Sequence, residues 1–283
     1  RSPHGFLGGL LLRASCHDVA VERFFADFVQ CDVGPWRALT VSDFPLRRLL
    51  TKRQQEGLES NGIRWIQSDR TQRATIRPCE AHPNWPRELL SSRTAKTYAR
   101  REKKLAAIGT LEHRLVFSDG ISDSVIDSFL KLEHTNFRKD AGTSLMSHDS
   151  HVRFFREMVD SLRARNGVFF SELVSDGRVI ASTCNLVSGT SGFAFKLGWD
   201  PDFADYSPGV QNELALVAAM QAELSHLEHM DSGAAQGSFM ERLWPDRDEL
   251  VEGVFTCDRL AHWTARAIRS VADVRNRWRR GLG

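Results

Sequence analysis

Apolar positions recur along the 283-residue chain with two periods. Spacings of three and four predict helices, whereas alternation or short β-branched and aromatic runs predict strands. In residues 18–30, Val19, Val21, Phe24, Phe25 and Phe28 form a helical stripe. Residues 36–41 predict a strand, 46–58 a helix and 63–66 a second strand, followed by a loop with Pro78, Pro83 and Pro86. A basic helix over 91–108 and a strand over 110–117 come next.

From residue 120 the pattern sharpens. Residues 122–137 and 150–165 predict helices, with Ser122 and Ser150 as candidate N-caps and Gly167 ending the second. Residues 168–174 and 178–187 are β-rich and are separated by Ser175-Asp176-Gly177. Asp-Gly between two such runs is a strong hairpin signal, because both turn positions tolerate positive φ. A third run, 191–199, extends the hairpin into an antiparallel meander. A polar loop with Pro201 and Pro208 leads to a helix over 209–227, a short strand over 228–230, a strand over 250–257 and a long arginine-rich helix. There is no internal repeat of solenoid period and no low-complexity segment.

The 41% hydrophobic and 26% charged content exclude collagen-like and wholly disordered classes. The apolar and glycine run Phe6 to Leu12 is far short of the roughly 20 residues of a membrane span. Arg13-Ala14-Ser15-Cys16 superficially resembles a lipoprotein cleavage box, but Arg13 stands where an aliphatic residue is needed. The first residue is not Met, so the chain is read as a fragment. Cys16, Cys31, Cys79, Cys184 and Cys257 are scattered without a CxxC pair. Such spacing predicts reduced thiols in a cytoplasmic protein, not a disulfide framework or zinc cage.

Charge divides the chain. Residues 1–110 carry +8, residues 111–257 carry −11 and residues 258–283 carry +5. The expectation is two units, 1–110 with the basic helix 91–108 as linker, and 111–283.

Walker A, GxGxxG, GxSxG and HExxH motifs are all absent, which argues against the nucleotide hydrolases, dehydrogenases, hydrolases and zincins that carry them. His148 with His151, and His226 with His229, have ligand-like spacing, but no carboxylate or cysteine cluster completes a metal site, and none is expected. Informative residues begin at the aromatic run Phe193-Ala194-Phe195-Lys196-Leu197-Gly198-Trp199-Asp200, which runs through a loop to Tyr206-Ser207-Pro208-Gly209 and a long helix. Free N–H groups and the positive dipole end make such a helix start an anion site. Gly209 is expected to leave room for a phosphate, and Pro208 to pre-set the first turn.

Residues of about 120–257 resemble the CelD-like acetyltransferase family, a branch of the GNAT fold associated with bacterial polysaccharide biosynthesis and akin to the Fem peptidyltransferases. The resemblance rests on Phe137-Arg138-Lys139, Asp176-Gly177-Arg178-Val179-Ile180-Ala181, the aromatic strand with Tyr206-Ser207-Pro208-Gly209, and Asp231-Ser232-Gly233 ahead of Phe239-Met240-Glu241-Arg242-Leu243-Trp244. The family's first aromatic-Lys pair is altered here, and Met240 replaces its later Lys.

The resemblance implies a mostly antiparallel GNAT-like α/β sheet flanked by helices, with residues 1–110 forming an incomplete second GNAT-like half that binds no cofactor. It implies acetyl-CoA or another acyl-CoA as co-substrate, its pyrophosphate held by Tyr206, Ser207, Pro208, Gly209, Val210 and Gln211, with Asn185 bonding the pantetheine. Direct transfer to an amine or hydroxyl needs orientation, a base and oxyanion stabilisation. Asp231 is the first candidate base. Lys196 is a candidate for meeting a phosphate or polarising an acceptor, and Glu133 is the third candidate. The expected partner is a small-molecule or sugar acceptor, such as an amino sugar. Two alternatives stand beside this: a Fem-type aminoacyl-transfer-RNA-dependent transferase using the basic helix, and a non-catalytic module whose arginine-rich ends contact nucleic acid or an anionic membrane. The acidic middle segment disfavours a nucleic acid partner.

Overall fold

A computed structural model describes residues 37–45, 52–77, 90–135 and 142–280. The helix expected over 18–30, the Phe137-Arg138-Lys139 triplet and Cys16, Cys31 and Cys79 lie outside these residues. Contacts divide the chain into two compact units, residues 1–72 with 248–283, and residues 73–247. This division places the basic helix with the residues that follow it, whereas the charge pattern groups it with those before.

In the first unit, strand β1 (Ala38–Phe44) pairs antiparallel with β8 (Asp246–Thr256), whose other neighbour is β2 (Arg64–Ile76). Helix α1 (Lys52–Ser60) brings Leu58 to a core of Phe44, Ile63, Val251 and Phe255. Trp65 closes it, its ring 4.6 Å from that of Phe255. Helix α6 (Arg259–Arg280) follows β8, and the Asp258 carboxylate accepts from Ala261 N at 2.7 Å to cap it.

The second unit contains helix α2 (Ser92–Ala106), β3 (Leu111–Val116), α3 (Asp123–His134), α4 (Asp149–Arg163), β4 (Val168–Ser175), β5 (Arg178–Ser188), β6 (Ser191–Trp199), α5 (Pro208–Glu223) and β7 (His229–Asp231). Its strand order is β2-β7-β6-β5-β4-β3, antiparallel except where β7 runs parallel to β6. The β4–β5 turn has Asp176 and Gly177 at φ +48° and +79°, the two positive angles that a tight hairpin with native twist requires. On one sheet face α5 packs Leu216, Val217 and Met220 against Phe169, Ala194 and Trp244. On the other, α3 and α4 bring Phe129 and Phe155 against Phe170 and Cys184.

The two serine caps expected from sequence need correcting. Ser122 sits at the cap position, but its hydroxyl pairs with that of Ser124 at 2.8 Å and caps nothing. Ser150 lies inside α4, which begins one residue earlier with Asp149 in its first turn, where the dipole favours a carboxylate. A serine cap forms instead on α2, where Ser91 Oγ accepts from Thr94 N at 3.2 Å.

Candidate active site

Strands β6 and β7 run side by side only from Ser191 to Phe193, opposite His229 to Asp231. Beyond that they part. β6 stays paired with β5 up to Trp199 opposite Ala181, whereas β7 ends at Asp231. The ending has a local cause: Asp231 Oδ1 accepts from Gly233 N at 2.7 Å, an Asx turn that bends the chain away. A bulge at Phe195, between the pairs Cys184–Lys196 and Asn185–Ala194, re-aims β6 at the same level.

A cavity of about 280 Å³ fills the gap, lined by Ala194 to Leu197 of β6, Ser232 to Ala234 beyond β7, Thr183 of β5, Glu213 of α5 and Met240.

Glu213 is the chemical centre of this wall. It is fully buried, accepting from Thr183 Oγ1 at 2.6 Å and from Trp244 Nε1 at 3.1 Å. Burial pushes its carboxyl up to about 7, although both hydrogen bonds favour the ionised form. The donors form a directed series. Asn212 Nδ2 donates to Thr183 Oγ1 and to Ser171 O, both at 3.1 Å, and Ser171 Oγ donates to Asn212 Oδ1 at 3.3 Å. Ser171 Oγ, having spent its proton, accepts from His113 Nε2 at 2.9 Å. Burial lowers the pKa of His113, favouring the neutral ring.

The three sequence-predicted catalytic residues fall in different surroundings. Lys196 lines the cavity, with its ammonium 2.8 Å from Glu133 Oε1 and 3.1 Å from Thr143 O. Glu133 is fully buried and its second oxygen accepts from Leu145 N at 2.8 Å, so it anchors Lys196 outside the cavity wall. Asp231 is buried beside Arg73, 3.6 Å away, and its oxygen at the Asx turn serves the backbone. Lys196 and Glu133 are brought together; Asp231 ends β7 at the Asx turn and is not among the residues that line the cavity.

The predicted cofactor residues form the start of α5. Ser207 has φ +54°, a left-handed conformation that a serine enters at a cost, and its hydroxyl accepts from Arg101 Nη1 at 2.5 Å. Gln211 Nε2 donates to Tyr98 O at 2.9 Å, so two side chains at this helix start tie it to α2. Tyr206 packs with Phe203 and Leu105, and the loop is fixed by Arg178, which bonds Asp200 and, at 2.9 Å, Asp202. Pro208 is buried and Val210 half-buried. Gly209 departs from expectation. A Cβ there would lie 3.2 Å from Leu197 and 3.3 Å from Trp199, so its bare Cα admits β6 rather than open space. Asn185 donates to Thr183 O at 3.0 Å, while its buried Oδ1 has no hydrogen-bond partner.

Glu213, Thr183 and Trp244 were not among the sequence candidates. A signal was present: Gln211-Asn212-Glu213 places three polar residues in succession ahead of the apolar run 214–220, and buried polar groups demand partners. Among the described residues no group of three His, Cys, Asp or Glu could hold a metal ion, and no helix is long and apolar enough to cross a membrane.

Residues 92–241 match the acetyltransferase (GNAT) domain, and the chain belongs to that family. No curated protein sequence matches it. Among solved structures it is similar to FemX, at 8% identity over 92% of this chain and 81% of that one, with a TM-score of 0.58. It also resembles the C-terminal domain of a putative lysylphosphatidylglycerol synthetase from Agrobacterium fabrum, at 9% identity over 90% and 97% of the two chains, with a TM-score of 0.47. A tandem GNAT protein from the clavulanic acid biosynthesis pathway matches at 10% identity over 78% and 64%, with a TM-score of 0.40.

Proposed function

We propose that the chain is an acyl-CoA-dependent acyltransferase of CelD-like type, passing an acetyl or other acyl group directly to an amine or hydroxyl of a sugar-like acceptor. The observation that carries this reading is Glu213, a buried carboxyl in the wall of a cavity that opens where two parallel strands part. When bound, acyl-CoA supplies the activated thioester.

The start of α5 suits its phosphates: the N–H groups of Gly209 and Val210 precede any intrahelical partner, the helix dipole is positive there, and Arg101 stands at Ser207. β6 links that end to the cavity, because Leu197 both lines the cavity and contacts Gly209. Gly209 itself contributes its N–H and its close packing rather than space.

In the cavity, Glu213 takes the proton of the attacking amine or hydroxyl. Its pKa near 7 makes it basic enough to accept the proton and sufficiently ionised to act at neutral pH. Thr183 and Trp244 hold its two oxygens in place, and Lys196, its ammonium held by Glu133, lines the same space. Apart from Arg101 of α2, residues 1–110 are assigned no acyl-CoA contact.

Calorimetric titration with acetyl-CoA and longer acyl-CoA thioesters tests the reading. Binding by the wild-type chain, weakened about tenfold by Arg101→Ala as expected for loss of a charged contact, supports it. Absence of binding to every thioester, with sub-micromolar binding of aminoacyl transfer RNA instead, would replace it with the Fem-type reading.

A further inference from the structure

Helix α6 turns its large apolar side chains away from its own protein. Leu260, Trp263 and Ile268 are 70%, 67% and 66% exposed, values that such residues rarely reach together on one helix. The half-buried positions of the same stretch are Ala261, His262 and Ala265. His262 Nδ1 lies 3.4 Å from the Thr256 hydroxyl, so the packed side is small and polar and the apolar side is outward.

At 100° per residue, Leu260, Trp263, Ala267 and Ile268 share one arc. Together these span about 140°, interrupted by Thr264. Seven arginines and one aspartate occupy residues 259–280. By spacing, Arg259 and Arg266 fall on one flank of the arc and Arg269 behind it. The helix has 22 residues and extends for about 33 Å.

We infer that α6 is an interfacial helix that seats the protein on an anionic lipid surface. Leucine, tryptophan and isoleucine would enter the boundary between headgroups and acyl chains, while the flanking arginines reach lipid phosphates. Charge complementarity selects this occupant. A second copy of the helix would bring a net +6 against +6, and a nucleic acid would meet the arginines but leave the aliphatic arc unused. The inference concerns attachment and does not rest on the acyl-transfer reading.

Flotation of the full chain with vesicles tests it. The chain should float with vesicles of phosphatidylglycerol and phosphatidylcholine in equal parts, and at least tenfold less with phosphatidylcholine alone, roughly as expected for several arginine–phosphate contacts. Raised salt should weaken the binding. Leu260→Ser/Trp263→Ser/Ile268→Ser should reduce flotation about tenfold or more while circular dichroism stays unchanged, since the three side chains are exposed. Failure of the wild-type chain to float with anionic vesicles, full retention of binding by the triple variant, or a wild-type dimer that the triple variant abolishes would each overturn the inference.

Discussion

The Thr183 hydroxyl donates to Glu213 Oε1 across 2.6 Å, joining the middle of a central strand to the second turn of the helix packed on it. Thr183 has no proton left for any other acceptor, so it takes the Asn212 amide instead. The orientation of each donor is therefore fixed by the next, and the series terminates on a carboxylate that accepts twice. That arrangement holds the carboxylate in one orientation.

Glu213 should make stability depend on pH. Its folded-state pKa, about 7, lies above its ordinary value of 4.5, so the folded state binds the proton more tightly. Stability is then greatest below pH 4.5 and falls by about 3 kcal/mol as pH rises to 7 and beyond. Glu213→Gln should remove this pH-dependent component, so its stability should change less than that of wild type between pH 5 and pH 8. Chemical denaturation at pH 5 and pH 8 measures the difference; equal slopes for both proteins would contradict it.

Lys196→Met should destabilise the fold by about 3 kcal/mol, because it leaves Glu133 fully buried without its cation. Glu133→Gln in the same chain should recover a large part of the loss, since Gln can still accept from Leu145 N. A double-mutant cycle by urea denaturation checks this. Additivity within about 0.5 kcal/mol would show that the pair does not interact.

Gly198 marks the closest approach of α3 to β6. A Cβ there would lie 2.6 Å from the Leu132 carbonyl carbon and as near the Glu133 amide, both backbone atoms of a helix that cannot yield locally. Gly198→Ala should cost about 1–3 kcal/mol or more and lower Tm accordingly. An unchanged Tm would mean that α3 shifts without penalty.

Much of the second unit was legible in the sequence, because its strands and turns carry short-range signals. Asp176-Gly177 fixes the hairpin, and the β-rich runs at 168–174, 178–187 and 191–199 fall within β4, β5 and β6. The start of α5 was legible from Ser207-Pro208-Gly209. The site was less so. Glu133 and Lys196 were picked out singly, but their pairing across 63 residues depends on how α3 lies on β6. Gly209 invited a phosphate in sequence because a missing side chain looks the same whether the space is filled by a ligand or by Leu197 and Trp199. Gln211-Asn212-Glu213 stands out as a polar run, but nothing local shows that both oxygens of Glu213 meet donors from β5 and from Trp244. Long-range packing supplies what neighbouring residues cannot encode.

The rate of acyl transfer against pH, measured for the wild-type chain and for Glu213→Gln with acetyl-CoA and a panel of amino sugars, bears most directly on the assignment of this cavity as an active site. With Glu213 as the base, wild-type kcat/KM should rise through pH 7 to a plateau as the carboxyl ionises. Glu213→Gln should be slower by about 10²–10⁴-fold and should lose that rise. A Glu213→Gln variant with wild-type rate and an unchanged pH profile would place the chemistry elsewhere.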